Sequence, residues 1–297
     1  MDLAQRLKQA RVHGREKIDA VLAGFASIRT ARAFLQRAAD EDAPSPDALR
    51  AILEALPGDH LPHLLDAMAI EQDPARRKAV RPVLVAIARE RPDDIVGRLE
   101  TAPPGMVKDL AEVLVTVAPA RRVELAGKLM GRGDPECLEG LLYLLAEVRP
   151  KPTDKDALVA LSTSMHVEAR VRSLELLGDL KDKTVYGDLS ARLIAGAQGS
   201  MPNKEAAAVG RALGRLDPAT ATPTLIDWIR PRNLIKRWFS VPKNEILHYA
   251  AVTGLADINI GEHEEVIRWL MPKAGSDLQD HCTKVIALAK RRERPRG

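Results

Sequence analysis

Aromatic side chains are scarce, at 3% of the 297 residues. That leaves little material for a β-sandwich or β-barrel, whose strands draw on aromatic and β-branched residues. Cysteine is nearly absent. Cys137 and Cys282 are the two present, 145 residues apart, which rules out a disulfide framework and predicts reduced thiols in a reducing, cytoplasmic setting. No apolar run approaches the length that crosses a bilayer, and the opening Met-Asp-Leu-Ala-Gln-Arg has no signal-peptide character. Charge of one sign is missing too. Forty-five Lys and Arg face 41 Asp and Glu, a net charge of +4. The resulting pI of about 9.1 is compatible with an anionic partner without demanding one.

Catalytic and metal-binding patterns are equally thin. His60 and His63, with Asp59 and Asp66, have helix-compatible spacing, but a metal needs three or four convergent ligands and nothing nearby supplies the rest. Gly261-Glu-His-Glu-Glu265 lacks the second His of a zinc-protease helix. Gly131-Arg-Gly133 lacks the further glycines and the Lys-Ser/Thr pair of a phosphate loop. Neither cysteine has a neighbouring His or a paired Cys. No cofactor, no metal and no catalytic residue is expected.

What the chain does have is a repeat. The phrase "Leu, small or variable, variable, apolar" occurs at Leu22-Ala-Gly-Phe25, Leu53-Glu-Ala-Leu56, Leu84-Val-Ala-Ile87, Leu114-Val-Thr-Val117 and Leu145-Ala-Glu-Val148. It returns at Leu177-Gly-Asp-Leu180, Leu213-Gly-Arg-Leu216, Leu255-Ala-Asp-Ile258 and, weakly, Leu288-Ala-Lys-Arg291. The leading leucines are spaced by 31, 31, 30, 31, 32, 36, 42 and 33 residues. A near-constant period of this size is the mark of stacked helical modules. Ser45-Pro, Asp73-Pro, Asp134-Pro and Asp217-Pro read as helix starts, with a capping side chain before a proline in the first turn. First helices are predicted near 45–56, 75–90, 105–117, 135–148, 166–180, 203–215, 243–256 and 276–291. Second helices are predicted near 59–70, 93–101, 120–131, 154–163, 184–197, 219–229 and 262–272. Residues 2–26 read as one or two helices and 29–39 as their partner. No polar cap precedes them, so the chain is expected either to be part of something longer or to dock at that end.

The stretch His166-Val-Glu-Ala-Arg-Val-Arg-Ser-Leu-Glu-Leu-Leu-Gly-Asp-Leu-Lys-Asp resembles a HEAT repeat, and Asn203-Lys-Glu-Ala-Ala-Ala-Val-Gly-Arg-Ala-Leu-Gly-Arg-Leu-Asp-Pro is the second-best match. The resemblance, looser toward armadillo repeats, extends over most of the chain, although several repeats lack the Val-Arg pair and the last spacings are irregular. It implies an all-α, right-handed α-α superhelix, a HEAT-like solenoid of about eight or nine helical hairpins over residues 1–290, with 291–297 as a basic tail. It also implies second helices lining the concave face, and a binding scaffold rather than an enzyme. A minority of such proteins act on DNA bases or on tetrapyrrole pigments; nothing specific supports the pigment lyase.

The spacing of 42 marks an insertion of about ten residues, and insertions in such arrays map to loops on one face, often the binding face. Residues 230–243 hold five cations (Arg230, Arg232, Lys236, Arg237, Lys243) and no acidic residue, with Trp238 and Phe239 among them and Trp228 just before. Two readings stand. Leu234, Ile235, Trp238 and Phe239 cover a gap in the array, or Arg230, Arg232, Lys236, Arg237, Trp238 and Phe239 form a partner-binding surface. Second-helix cations Arg98, Arg121, Arg122, Lys128, Lys155 and Arg192 would make a basic groove if they were open, but Asp93, Asp94, Glu124, Asp156 and Asp188 dilute it. The expectation is a scaffold or adaptor that binds a protein partner. The alternative is a nucleic-acid-binding protein, conceivably glycosylase-like, for which Asp227 beside Trp228 is the pair to test.

Overall fold

The computed structural model describes residues 27–40, 44–55, 59–230 and 244–293. These form fifteen α-helices and no strand. The helices expected at 2–26 and the insert at 231–243 lie outside the described residues. Packing divides the chain into two compact units, Met1–Ala146 and Glu147–Gly297.

The first unit contains α1 (Ile28–Ala38), α2 (Pro46–Ala55), α3 (Leu61–Ile70), α4 (Pro74–Ala88), α5 (Pro92–Leu99), α6 (Pro104–Val117), α7 (Arg122–Leu129) and α8 (Pro135–Leu145). The second contains α9 (Lys155–Leu161), α10 (Val167–Leu180), α11 (Tyr186–Ala197), α12 (Asn203–Leu216), α13 (Pro218–Ile229), α14 (Glu245–Leu270) and α15 (Ser276–Glu293). The last runs to Glu293, so the stretch expected as tail from 291 begins as helix, and 294–297 lie outside the described residues.

Prolines open many of these helices because the first-turn N–H has no helical acceptor and the fixed φ is already helical. Ser45 and Asp73 cap as expected, accepting from the amides of Ala48 at 3.2 Å and Ala75 at 2.8 Å. Asp134 and Asp217 do not. Asp134 accepts the Cys137 thiol and an Arg132 N–H, and Asp217 accepts the Thr220 hydroxyl. The turn between the last hairpin's helices has shrunk to one residue. Asn259 has φ −164 and ψ 104 inside α14 and caps the second half reciprocally, its amide donating to Glu262 while its oxygen accepts from the Glu262 N–H.

Within each unit the first helices stack side by side, α2 on α4, α6 and α8, and α10 on α12, α14 and α15. Second helices pack on first helices, and ion pairs such as Arg98–Asp66 and Arg121–Asp93 join successive second helices. The leucines that head the repeated phrase, Leu84, Leu114, Leu145, Leu177, Leu213 and Leu255, are all fully buried in this stack. Leu288, on α15, is 55% exposed.

Register is set by charge as well as by leucine. Arg91–Asp59 and Arg98–Asp66 are each 32 residues apart, and Lys108–Glu139 are 31 apart. In the second unit Lys204–Glu168, Arg211–Glu175 and Arg215–Asp179 are all 36 apart, and Arg215–Asp257 are 42 apart. These separations repeat the leucine spacings to within a residue or so, so matching positions of successive helices face each other, at second helices for Arg91–Asp59 and Arg98–Asp66 and at first helices for the others.

Candidate functional site

Two arginines tie the repeats together from within. In the first unit, buried Arg77 donates to the Glu71 carbonyl at 2.6 Å, the Gly105 carbonyl at 3.0 Å and Asp109 at 2.8 Å. In the second, Arg170 donates to the Ser164 carbonyl at 2.9 Å, the Met165 carbonyl at 3.2 Å and Glu205 at 2.8 Å. Each lies seven residues before a phrase leucine, reaches back six residues to the preceding turn and forward to an acid on the next first helix. The Val171-Arg172 pair that carries the sequence resemblance is not the clamp. Arg172 points instead to Glu175, three residues on.

The outward face of the first helices carries the open surface. Across α4, α6 and α8, two adjoining grooves of about 590 and 460 Å³ share Lys78, Arg81 and Glu112. The larger lies toward the helix starts, between Pro74, Gly105 and Glu136. The smaller runs over Pro82, Val85, Val113 and Tyr143. Tyr143 is 40% exposed, unusual for a large ring on a packed layer. Glu112 is held by Arg81, and Glu139 by Lys108 at 2.8 Å. Lys78 makes no ion pair or side-chain hydrogen bond among the described residues.

In the second unit the corresponding face is a charge ladder. Arg215 donates to Asp257 at 2.6 Å and to Asp179 at 2.6 Å, bridging α10, α12 and α14. Arg211 meets Glu175 at 2.6 Å, and Arg292 meets Asp257 at 3.2 Å. Beside the ladder, His281 on α15 shares a 2.9 Å hydrogen bond with Thr253 and stacks obliquely on Tyr249, ring centres 4.7 Å apart. Burial, aided by Arg211 and Lys284, pushes the His281 imidazole down to about 4. Burial also lowers His248, whose Nε2 has no hydrogen-bond partner among the described residues.

Of the expected binding residues, Arg232, Lys236, Arg237, Trp238 and Phe239 lie outside the described residues. Arg230 is described. Its guanidinium sits 5.6 Å from the ring centre of Trp269, and the Lys273 ammonium lies 2.9 Å from the same ring. Trp269 had no sequence signal, because only the fold places residue 269 beside residue 230. The six second-helix cations are all engaged. Arg98 holds Asp66, and Arg121 holds Asp93 and Glu124. Arg122 donates to the carbonyls of Tyr143, Leu144 and Ala146 at the end of α8. Lys128 reaches Glu100, Lys155 reaches Asp182 and Thr184, and Arg192 reaches Ser162 and Glu205. Five of the six thus meet a carboxylate, and Arg122 meets backbone carbonyls.

The remaining candidates have structural occupations. Arg91 takes both oxygens of Asp59, and Arg98 takes Asp66, so both carboxylates near His60 and His63 are held by arginines. Among the described residues no three His, Cys, Asp or Glu side chains converge on a metal position. His263 is buried in the second half of α14, and Glu264 pairs with Arg268 and Lys290. Asp227 is exposed and Trp228 half-buried on α13. Both cysteines are free and buried, and burial raises each thiol to about 11, leaving almost no thiolate at neutral pH. No described helix is long and apolar enough to cross a membrane. No family model matches the chain, and no curated protein matches it.

Proposed function

We propose that this chain is a non-enzymatic scaffold of HEAT-like hairpins, a right-handed α-solenoid, that binds a protein partner on its first-helix face. The observation that carries this reading is the pairing of stacked first helices with grooves that open on that same face. Backbone approach in the second unit supports it. A methyl group on Gly254 would stand 2.6 Å from the Gly210 carbonyl, so α12 and α14 run almost in contact there. Close stacking of successive first helices is what an array of repeated hairpins requires. The Arg230–Trp269–Lys273 cluster adds a basic-aromatic anchor where the insert begins. The inert thiols favour binding over nucleophilic chemistry and suit a reducing, cytoplasmic location.

The test is capture with the intact chain. A partner protein retained reproducibly, through nuclease treatment and in 0.5 M salt, supports the scaffold. Retention that nuclease abolishes and that falls steeply with salt points to nucleic acid instead. No reproducible partner of either kind ends the reading.

A further inference from the structure

We propose that the groove over α4, α6 and α8 docks a short extended segment of the partner protein that carries an acidic side chain next to an apolar one. The inference rests on the scaffold reading above and names the chemistry of its partner.

Three features of the smaller groove converge on that occupant. The first is charge. Two cations, Lys78 and Arg81, and one acid, Glu112, line it. Glu112 is already held by Arg81. Lys78 is exposed and unpaired, so the groove offers one cation with all three of its donors open. The second is the floor. Pro82, Val85 and Val113 make an apolar bed, and Tyr143 from α8 stands at its edge as an exposed aromatic wall. Exposed rings beside apolar furrows are the usual anchors of recognition. The third is the backbone. Pro82 sits inside α4 and has no N–H to close the helical turn on the carbonyl of Lys78. That carbonyl is left without its usual helical donor, and in the proposed docking it accepts from the incoming chain. An incoming helix has no spare amide for it along its length, whereas an extended chain presents one at every other residue.

The three fit one geometry. The acidic side chain meets the Lys78 ammonium, its own or an adjacent amide donates to the Lys78 carbonyl, and the neighbouring apolar side chain lies on Pro82, Val85 and Val113 against Tyr143. The volume of about 460 Å³ is in the range of pockets that hold a few residues of chain.

A degenerate library of end-blocked eight-residue peptides, selected on the intact chain, tests the proposal. Expected is enrichment of Asp or Glu beside an aliphatic or aromatic residue. The selected peptide should lose tenfold or more in affinity on Lys78→Glu and on Tyr143→Ala, and a similar factor when the amide of its acidic residue is N-methylated. Lys78→Gln, at an exposed position, serves as the milder variant, and melting curves check that each stays folded. Peptides without acidic enrichment, or affinities indifferent to Lys78 and Tyr143, overturn it. A captured partner that the peptide fails to displace removes this docking site while leaving the scaffold reading intact. Peptide binding with no captured partner does the reverse.

Discussion

A methyl group at Gly210 would have nowhere to go. It would lie 2.5 Å from the carbonyl carbon of Ala250 and 2.6 Å from its Cα, and nearer still to the carbonyl oxygen. Carbon atoms in comfortable contact are about 3.5–4.0 Å apart. The obstacle is backbone inside a helix, so no rotamer change relieves it, and α12 and α14 must part by roughly 1 Å. The layer they share contains Ala206, Val209, Leu213, Ala251 and Leu255, all essentially without solvent contact. A gap of that size forfeits about a quarter to a half of the dispersion energy across it. Overpacking costs about 1–3 kcal/mol where side chains can adjust, so about 3–5 kcal/mol is expected here. The helix-forming advantage of Ala over Gly returns at most ~1 kcal/mol. The net loss is ~3 kcal/mol, which in a unit of this size lowers the melting temperature by roughly 6–12 °C. Gly187 is the internal control. It lies in α11 with no atom within 4 Å of its missing methyl, so Gly187→Ala should be neutral or stabilise by up to ~1 kcal/mol. Thermal and urea denaturation followed by circular dichroism reads both. A Gly210→Ala protein that melts with or above the parent would refute the close packing of α12 on α14.

The clamp at Arg170 should be equally exposed to mutation. Glu205 is buried and accepts from both Arg170 and Arg192, so Glu205→Ala strands two guanidinium groups and should cost about 3 kcal/mol; a loss under ~1 kcal/mol in urea titration contradicts the clamp. His281 predicts an acid dependence. Its pKa is about 4 when folded against 6.5 as a free side chain, so the unfolded chain takes the proton first. Its stabilising contribution is complete above pH 6.5, declines as pH falls, and is gone near pH 4. Each pKa unit corresponds to about 1.4 kcal/mol, and partial exposure of the ring reduces the total to ~1–2 kcal/mol. His281→Gln should flatten stability between pH 6.5 and 4 relative to the parent, and an unchanged slope excludes the His281 account. Lys181 ends α10 in the left-handed region, φ 56, at a cost of about 1 kcal/mol for a residue with a Cβ. Lys181→Gly should therefore raise stability by up to that amount, visible as a later urea midpoint.

Much of the architecture was legible before any coordinates. Proline in the first turn marks helix starts and the leucine phrase falls at the ends of first helices, and such local chemistry does not depend on partners. The expected starts at 45, 75, 105, 135 and 203 stand within a residue or so of those observed. The irregular steps of 36 and 42 also carried meaning, since the same numbers separate Arg215 from Asp179 and from Asp257. Tertiary facts were not legible. Arg170 and Arg172 look alike in the sequence, and which one clamps the turn depends on where its helix face points. Trp269 acquires Arg230 only through folding. The groove beside Tyr143 depends on three helices converging, and which group each second-helix cation meets, such as Asp66 for Arg98 or the α8 carbonyls for Arg122, depends on the neighbouring repeat.

The alternation Asp179, Arg215, Asp257 bears on how such a chain can change over time. Its rungs match although the steps between them are unequal, so what must be preserved is the rotational phase at which each first helix resumes, not the number of residues spent in between. Connectors can therefore lengthen or shorten freely, and new recognition loops can be acquired there, while an insertion of even one residue inside a first helix would turn its cation away from both neighbours at once.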